Sequence, residues 1–203
     1  MTYICIMGSI LGLLTSVYTL KIHSIKKQSS SILEKQKYLY AIGITSILTV
    51  SILFLYNRYG LTNQFIAMSF ITWLLMSMSV HDIRYREVPM DALILGGVIG
   101  VCMVILNPNL VWQDALIGCI AVGGSLVALS RITRGALGMG DAFVISVVGL
   151  VLGYKMAIAI LLYGLVISGV VGLILLTFRV VNRKTRLPLV PFLLMAYMLL
   201  MVI

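Results

Sequence analysis

Charged side chains are what this sequence has least of. Asp, Glu, Lys and Arg make up 10% of its 203 residues, and only six of these are acidic. Soluble domains carry about 25% charged residues. A chain that is 61% hydrophobic, with a mean hydropathy of +1.12, cannot cover a water-facing surface. Apolar stretches of roughly 18–20 residues recur, the length needed to cross a bilayer, and lipid demands that the backbone be paired within each segment. The composition therefore excludes a soluble domain and predicts an all-α polytopic membrane protein with about eight transmembrane helices.

Other absences narrow the function. The three cysteines, Cys5, Cys102 and Cys119, lie scattered in apolar segments without a Cys-x-x-Cys pair. Neither a zinc site nor a redox motif is signalled, and small buried hydrophobes are the expected role. The net charge of +9 invites a nucleic-acid partner, but no basic patch interleaves with exposed aromatics. No internal repeat or low-complexity tract is visible. No positive residue precedes the first apolar segment, whereas a secretory signal begins with its basic end; a retained helix with its N-terminus outside is expected.

In order, apolar segments are expected at about residues 4–20, 38–56, 65–80, 90–106, 110–130, 136–153, 156–178 and from Pro188 onward. Trp112 and Asp114 mark the start of the fifth, and Tyr154-Lys155 breaks the sixth from the seventh. Glycines at 96, 97 and 100, and at 164, 169 and 172, suit close helix packing. The chain reads as one integral membrane domain, residues 1–203, with N-terminal helices in 1–64 and a core in 65–203. A basic, Ser-rich loop spans 21–37. Placing alternate loops on one side puts every Lys and Arg except Arg58 and Lys155 on a single face, which the positive-inside rule makes cytoplasmic. A multi-pass protein of the plasma membrane is expected, with membrane lipids as partners and no nucleic acid. The cluster Arg179, Arg183, Lys184 and Arg186 suits anionic headgroups.

Two of the six acids stand out. Asp82 ends the third segment, and Asp141 opens the sixth in Gly138-Met139-Gly140-Asp141. Alternating topology brings both to the same membrane face. Carboxylates at membrane depth are costly to ionise, which makes them functional candidates. Two placed together share a proton, so one can activate water while the other polarises a peptide carbonyl. Gly138 and Gly140 remove side chains and allow an extended peptide to approach Asp141. A structural reading competes. Asp82 could be an interfacial residue paired with Arg84 or Arg86, and Asp141 could be a dipole-favoured residue in a helix's first turn.

The wider pattern resembles the type IV prepilin peptidases, membrane aspartic proteases of the Gly-x-Gly-Asp class. Asp82 is followed by Pro89 in Asp-Ile-Arg-Tyr-Arg-Glu-Val-Pro. Gly138-Met139-Gly140-Asp141 matches the second motif, and Leu187-Pro188-Leu189-Val190-Pro191-Phe192-Leu193 looks like the family's proline-rich lead-in to its last helix. The resemblance covers roughly residue 68 to the C-terminus. It implies an endopeptidase that removes a short basic leader from prepilins or pseudopilins, after a glycine and at the cytoplasmic face. Asp82 and Asp141 would be the catalytic pair, with no metal or other cofactor needed for proteolysis. Many bacterial relatives carry a cysteine-rich, zinc-binding insertion between the first two helices and methylate the new N-terminus with S-adenosylmethionine. The loop at 21–37 has no cysteine, so no zinc is expected there, and S-adenosylmethionine enters only if methyl transfer is retained.

Of the remaining residues, His81 could tune Asp82 but is expected as a solvated interfacial ring. Glu87 and Asp91 are expected as loop and helix-start charges, with orientation of the Asp82 loop or substrate recognition as the alternatives. The main competing function is a proton- or cation-coupled transporter with Asp82 and Asp141 as its relay. Coupling sites sit near the midplane, often in repeated halves, whereas these aspartates lie near one face. A presenilin-type protease expects Tyr-Asp where this chain has His81-Asp82.

Overall fold

The computed structural model describes residues 8–13, 32–106, 111–132, 138–179 and 187–202. Every regular element among them is helical, so the protein is all-α and polytopic. In chain order these are α1 (8–13), α2 (Ile32–Tyr59), α3 (Asn63–Tyr85), α4 (Met90–Leu106), α5 (Trp112–Ile132), α6 (Met139–Leu152), α7 (Tyr154–Thr177) and α8 (Val190–Val202). Four segments are long and apolar enough to cross a membrane, Ile42–Tyr59, α3, α5 and α7; α4, α6 and α8 are shorter apolar helices. Most of the expected first segment, residues 21–31 of the basic loop, residues 107–110, residues 133–137 and the cations Arg183, Lys184 and Arg186 fall outside the described residues.

The chain divides into two compact units, Met1–Val80 and His81–Ile203. In the first, α1 lies close against α2: a Cβ built on Gly12 would stand 2.8 Å from Cα of Thr45. The threonines of this contact satisfy their hydroxyls within their own helix. Thr45 Oγ1 donates to the Ile42 carbonyl at 2.9 Å, and Thr49 Oγ1 to that of Thr45 at 2.8 Å, as an apolar surrounding requires. Helix α2 begins at Ile32, inside the expected loop 21–37, runs three residues past its expected end and stops at Gly60, which takes φ +62 and donates its N–H to Tyr56. This is the left-handed helix end that glycine supplies without steric cost. Thr62 then starts α3, its Oγ1 accepting the Phe65 N–H at 3.3 Å.

The second unit is built around α6. Its Ala142, Val144, Ile145 and Val148 are fully buried, and it packs against α4, α5 and α7. Helix α5 departs from α geometry over Ile117–Gly123, a π-helical segment, and there the approach to α6 is closest. A Cβ on Gly118 would lie 2.4 Å from the Gly149 carbonyl oxygen. Gly100 of α4 faces Leu150 and Val151, and Gly164 of α7 faces Leu193 of α8, whereas Gly97 and Gly169 have nothing within 4 Å. The glycine stripes therefore serve packing at some positions and not at others.

The break between α6 and α7 lies one residue before the expected Tyr154-Lys155. Gly153 alone separates the helices, at φ +82 and ψ 168. That region is essentially restricted to glycine, and a side chain held there costs on the order of 1–3 kcal/mol. Gly153→Ala is expected to lower the midpoint of thermal unfolding in detergent by several degrees; an unchanged midpoint would show that the backbone here relaxes freely.

Candidate active site

Asp82 sits inside a helix rather than after one. The expected end of the third segment was Val80, but α3 continues to Tyr85, because nothing in His-Asp-Ile-Arg-Tyr breaks a helix. The stop comes at Arg86, which adopts φ +53 and donates its N–H to the Asp82 carbonyl at 2.9 Å. This single bond is the left-handed helix closure, made here at a cost of roughly 1 kcal/mol by a residue other than glycine. Pro89 follows as the start of α4, accepting the Leu93 N–H at 3.2 Å. A helix start suits proline, since an N–H there has no partner to lose. Only a few residues, Arg86 to Pro89, thus separate the end of α3 from α4.

The Asp82 side chain is buried and caps a distant helix. Its Oδ2 accepts the Val190 N–H at 3.0 Å, and the Leu189 amide also bonds to this carboxyl group. These are the first amides of α8, where Phe192 and Leu193 already bond to the Leu189 carbonyl. A helix start leaves its leading N–H groups without intrahelical partners. Leu187, Pro188, Leu189 and Val190 contain no Ser, Thr, Asp or Asn to supply a local cap. Asp82 supplies it from 108 positions away. The proline-rich segment is legible in the sequence; this role is not. The available signal was an apolar helix start, marked by Pro191, with no capping side chain of its own.

Asp141 is the third residue of α6, which begins at Met139 and not at the expected Ala136. Its carboxyl group reaches back to bond the Gly138 amide, one half of the capping-box arrangement. The two glycines are explained by different neighbours. A Cβ on Gly138 would meet Asp141 Oδ2 at 2.7 Å, and one on Gly140 would meet Cβ and Cγ2 of Val88 at 2.8 Å. Gly140 therefore lets Val88, in the link that follows α3, lie directly against the helix that carries Asp141.

Asp82, Asp141, Gly138 and Gly140 line one cavity of about 330 Å³, at the lower end of ligand-pocket sizes. The two carboxyl groups are close enough to act on each other electrostatically. Val88 and Met90 form part of the wall, while Pro89 between them does not. Arg86 and Glu87 line the same cavity and are exposed. His81 is not the solvated ring expected: it is 4% exposed, its ring 5.9 Å from that of Tyr85, one turn along α3, and tilted 31° to it. Among the described residues no group of three or more His, Cys, Asp or Glu converges as a metal site.

The contact between Gly140 and Val88 makes a paired prediction. Gly140→Ala is expected to remove the site's activity about a hundredfold or more by displacing one carboxyl-bearing element from the other. Val88→Ala in the same chain removes the colliding Cγ2 and is expected to restore part of the loss. Equal inactivity of the single and double variants would show that the collision is not the cause.

The chain matches the type IV leader peptidase family over residues 69–173. It is 32% identical, over 136 residues, to the prepilin leader peptidase/N-methyltransferase of Bacillus subtilis (strain 168), an alignment covering 66% of this chain and 54% of that protein. It thus spans about half the length of this curated relative. No solved structure matches.

Proposed function

Because the chain belongs to the type IV leader peptidase family, we propose that it is a membrane aspartic endopeptidase that removes the basic leader of type IV prepilins or pseudopilins. The observation that carries this reading is the meeting of Asp82 and Asp141, from two different helices, on the wall of one small cavity. Each carboxyl group is held by backbone amides, Asp82 by the start of α8 and Asp141 by Gly138.

The arrangement supports a water-mediated cleavage. One aspartate takes a proton from a water molecule, whose oxygen attacks the carbonyl carbon of the scissile peptide. The other donates its proton to the carbonyl oxygen, and proton return to the amine nitrogen releases the two products. Two carboxyl groups at close range favour the state in which a single proton is shared, the starting point for this division of labour. A cavity of this size suits a short segment of substrate, cut after glycine, and its position at helix ends suits a bond just outside a hydrophobic helix. We assign the site to the cytoplasmic face of the plasma membrane on the distribution of Lys and Arg. The proposal covers proteolysis; the N-methyltransferase activity in the relative's name is left with that relative.

The test is co-expression with a candidate prepilin, followed by a gel shift and the mass of the new N-terminus. Leader loss after a glycine supports the reading. A prepilin panel left intact by a membrane-inserted, folded chain would sink it and raise the transporter alternative. The same mass spectrum reads any methyl group on the product.

A further inference from the structure

At Arg86 the backbone and the side chain ask for different residues. Its φ of +53 closes α3, a conformation that glycine adopts without steric cost and asparagine tolerates. The chain places an arginine there, exposed and on the wall of the cavity that holds Asp82 and Asp141. A backbone held against its preference at the edge of a site points to a role for the side chain it carries. The chemistry of the wall says which role. Of the other described lining residues, Asp82, Glu87 and Asp141 carry carboxyl groups, and the rest are Val, Met and Gly. Ionised carboxylates only accept hydrogen bonds, and Val and Met side chains donate none. Among the described lining residues, Arg86 is thus the side chain that donates whatever the protonation of the acids.

An extended peptide brings both N–H donors and carbonyl acceptors into the cavity, and each needs a partner once water is displaced. The carboxyl groups can accept from the N–H groups. In the proposed mechanism the shared acid proton goes to the carbonyl of the cleaved bond, and the neighbouring carbonyls then have only Arg86 as a side-chain donor. We propose that Arg86 is a substrate-binding residue whose guanidinium donates to a backbone carbonyl of the substrate beside the cleaved bond. A guanidinium suits this task because it stays protonated and offers its N–H groups in a fixed planar fork. Its ligand is peptide backbone, which every substrate presents. Arg86 therefore sets how firmly a peptide is held, and not which side chains are chosen.

This role rests on the peptidase reading of the cavity, and the test separates the two. The full chain, as the unaltered protein, Arg86→Gly and Arg86→Lys, is reconstituted in liposomes and assayed against a cleavable prepilin. Arg86→Gly is expected to lower kcat/KM by about 10- to 100-fold, the scale of a lost hydrogen bond to a charged group. The loss should lie in KM, with kcat within about threefold, because the contact is made before and during cleavage alike. Arg86→Lys, which keeps a charged donor without the fork, should fall between the two. Arg86→Gly should also raise the unfolding midpoint in detergent by about 2 °C or more, since glycine relieves the left-handed closure. If that variant fails to insert, Arg86→Asn takes its place.

A kcat/KM for Arg86→Gly within about threefold of the unaltered protein overturns the proposal, as does a loss confined to kcat, which places Arg86 at the reacting atoms. A lowered midpoint overturns it too, because the residue is then structural. The loss should be equal for a prepilin and for its variant with the charged residues nearest the cleaved bond changed to alanine; a loss confined to the unchanged prepilin makes this a side-chain contact and overturns the backbone assignment. A loss seen in liposomes containing phosphatidylglycerol and absent in pure phosphatidylcholine assigns the guanidinium to lipid headgroups instead. If the unaltered chain cuts no prepilin, the peptidase reading fails on its own. Fluorescence anisotropy with a labelled peptide spanning the leader junction then decides Arg86: a Kd raised about tenfold or more by Arg86→Gly supports the contact, and an unchanged Kd or no binding by the unaltered chain overturns it.

Discussion

Replacing either Asp82 or Asp141 by Asn is expected to lower prepilin cleavage by about a thousandfold or more, within the range assigned to a lost acid–base group. The two losses should not multiply, because in the proposed mechanism the carboxyl groups act as one unit on one proton. The Asp82→Asn/Asp141→Asn double variant is therefore expected to be about as slow as either single variant. Fold and chemistry separate most cleanly at position 82. An Asn there retains an oxygen that can accept the Val190 N–H, so α8 keeps its cap. Asp82→Ala leaves the first amides of α8 unpaired in a buried setting, and should cost about 1–2 kcal/mol in addition to activity. Cleavage assays paired with thermal unfolding check both statements. An active Asn variant at either position would remove that aspartate from the mechanism. An Ala variant at 82 as stable as the Asn variant would remove the capping role.

Gly149→Ala is expected to produce the largest loss of stability of any single methyl addition considered, about 3 kcal/mol or more. A Cβ there would stand 2.5 Å from both the carbonyl carbon and the carbonyl oxygen of Gly118. Overpacking commonly costs about 1–3 kcal/mol when side chains can turn aside; here the obstacle is backbone, and no rotamer change relieves it. Gly118→Ala meets the Gly149 carbonyl oxygen at 2.4 Å and should behave alike. The consequence for function follows from geometry, since α6 carries Asp141 at one end and Gly149 near the other. Forcing α5 away from α6 tilts the helix on which half of the proposed catalytic pair stands. Gly97→Ala, with open space at its Cβ, is the matched control and should leave stability within about 0.5 kcal/mol. Folded yield and unfolding midpoint in detergent measure all three. A Gly149→Ala chain as stable as the Gly97→Ala chain would show that the close approach carries no weight.

The sequence by itself determined that this chain is an all-α membrane protein. Composition and segment length leave no other way to satisfy the backbone, and that reason is local to each segment. It also singled out Asp82 and Asp141, because acids are so scarce here that their neighbours, Gly138 and Gly140 on one side and the path to Pro89 on the other, could be read as motifs. What it could not supply were the partners of those residues. The α8 amides that hold Asp82 lie 108 positions away. The methyl that occupies the space beside Gly140 belongs to Val88, and the backbone that forbids a side chain at Gly149 belongs to Gly118. His81 read as a solvated ring because its sequence neighbours are polar and charged, yet the fold buries it. Helix formation and hydrophobicity are decided within a few residues of the chain; capping in trans, glycine contacts and the burial of a polar ring are decided by which helices meet, and only the tertiary structure specifies that.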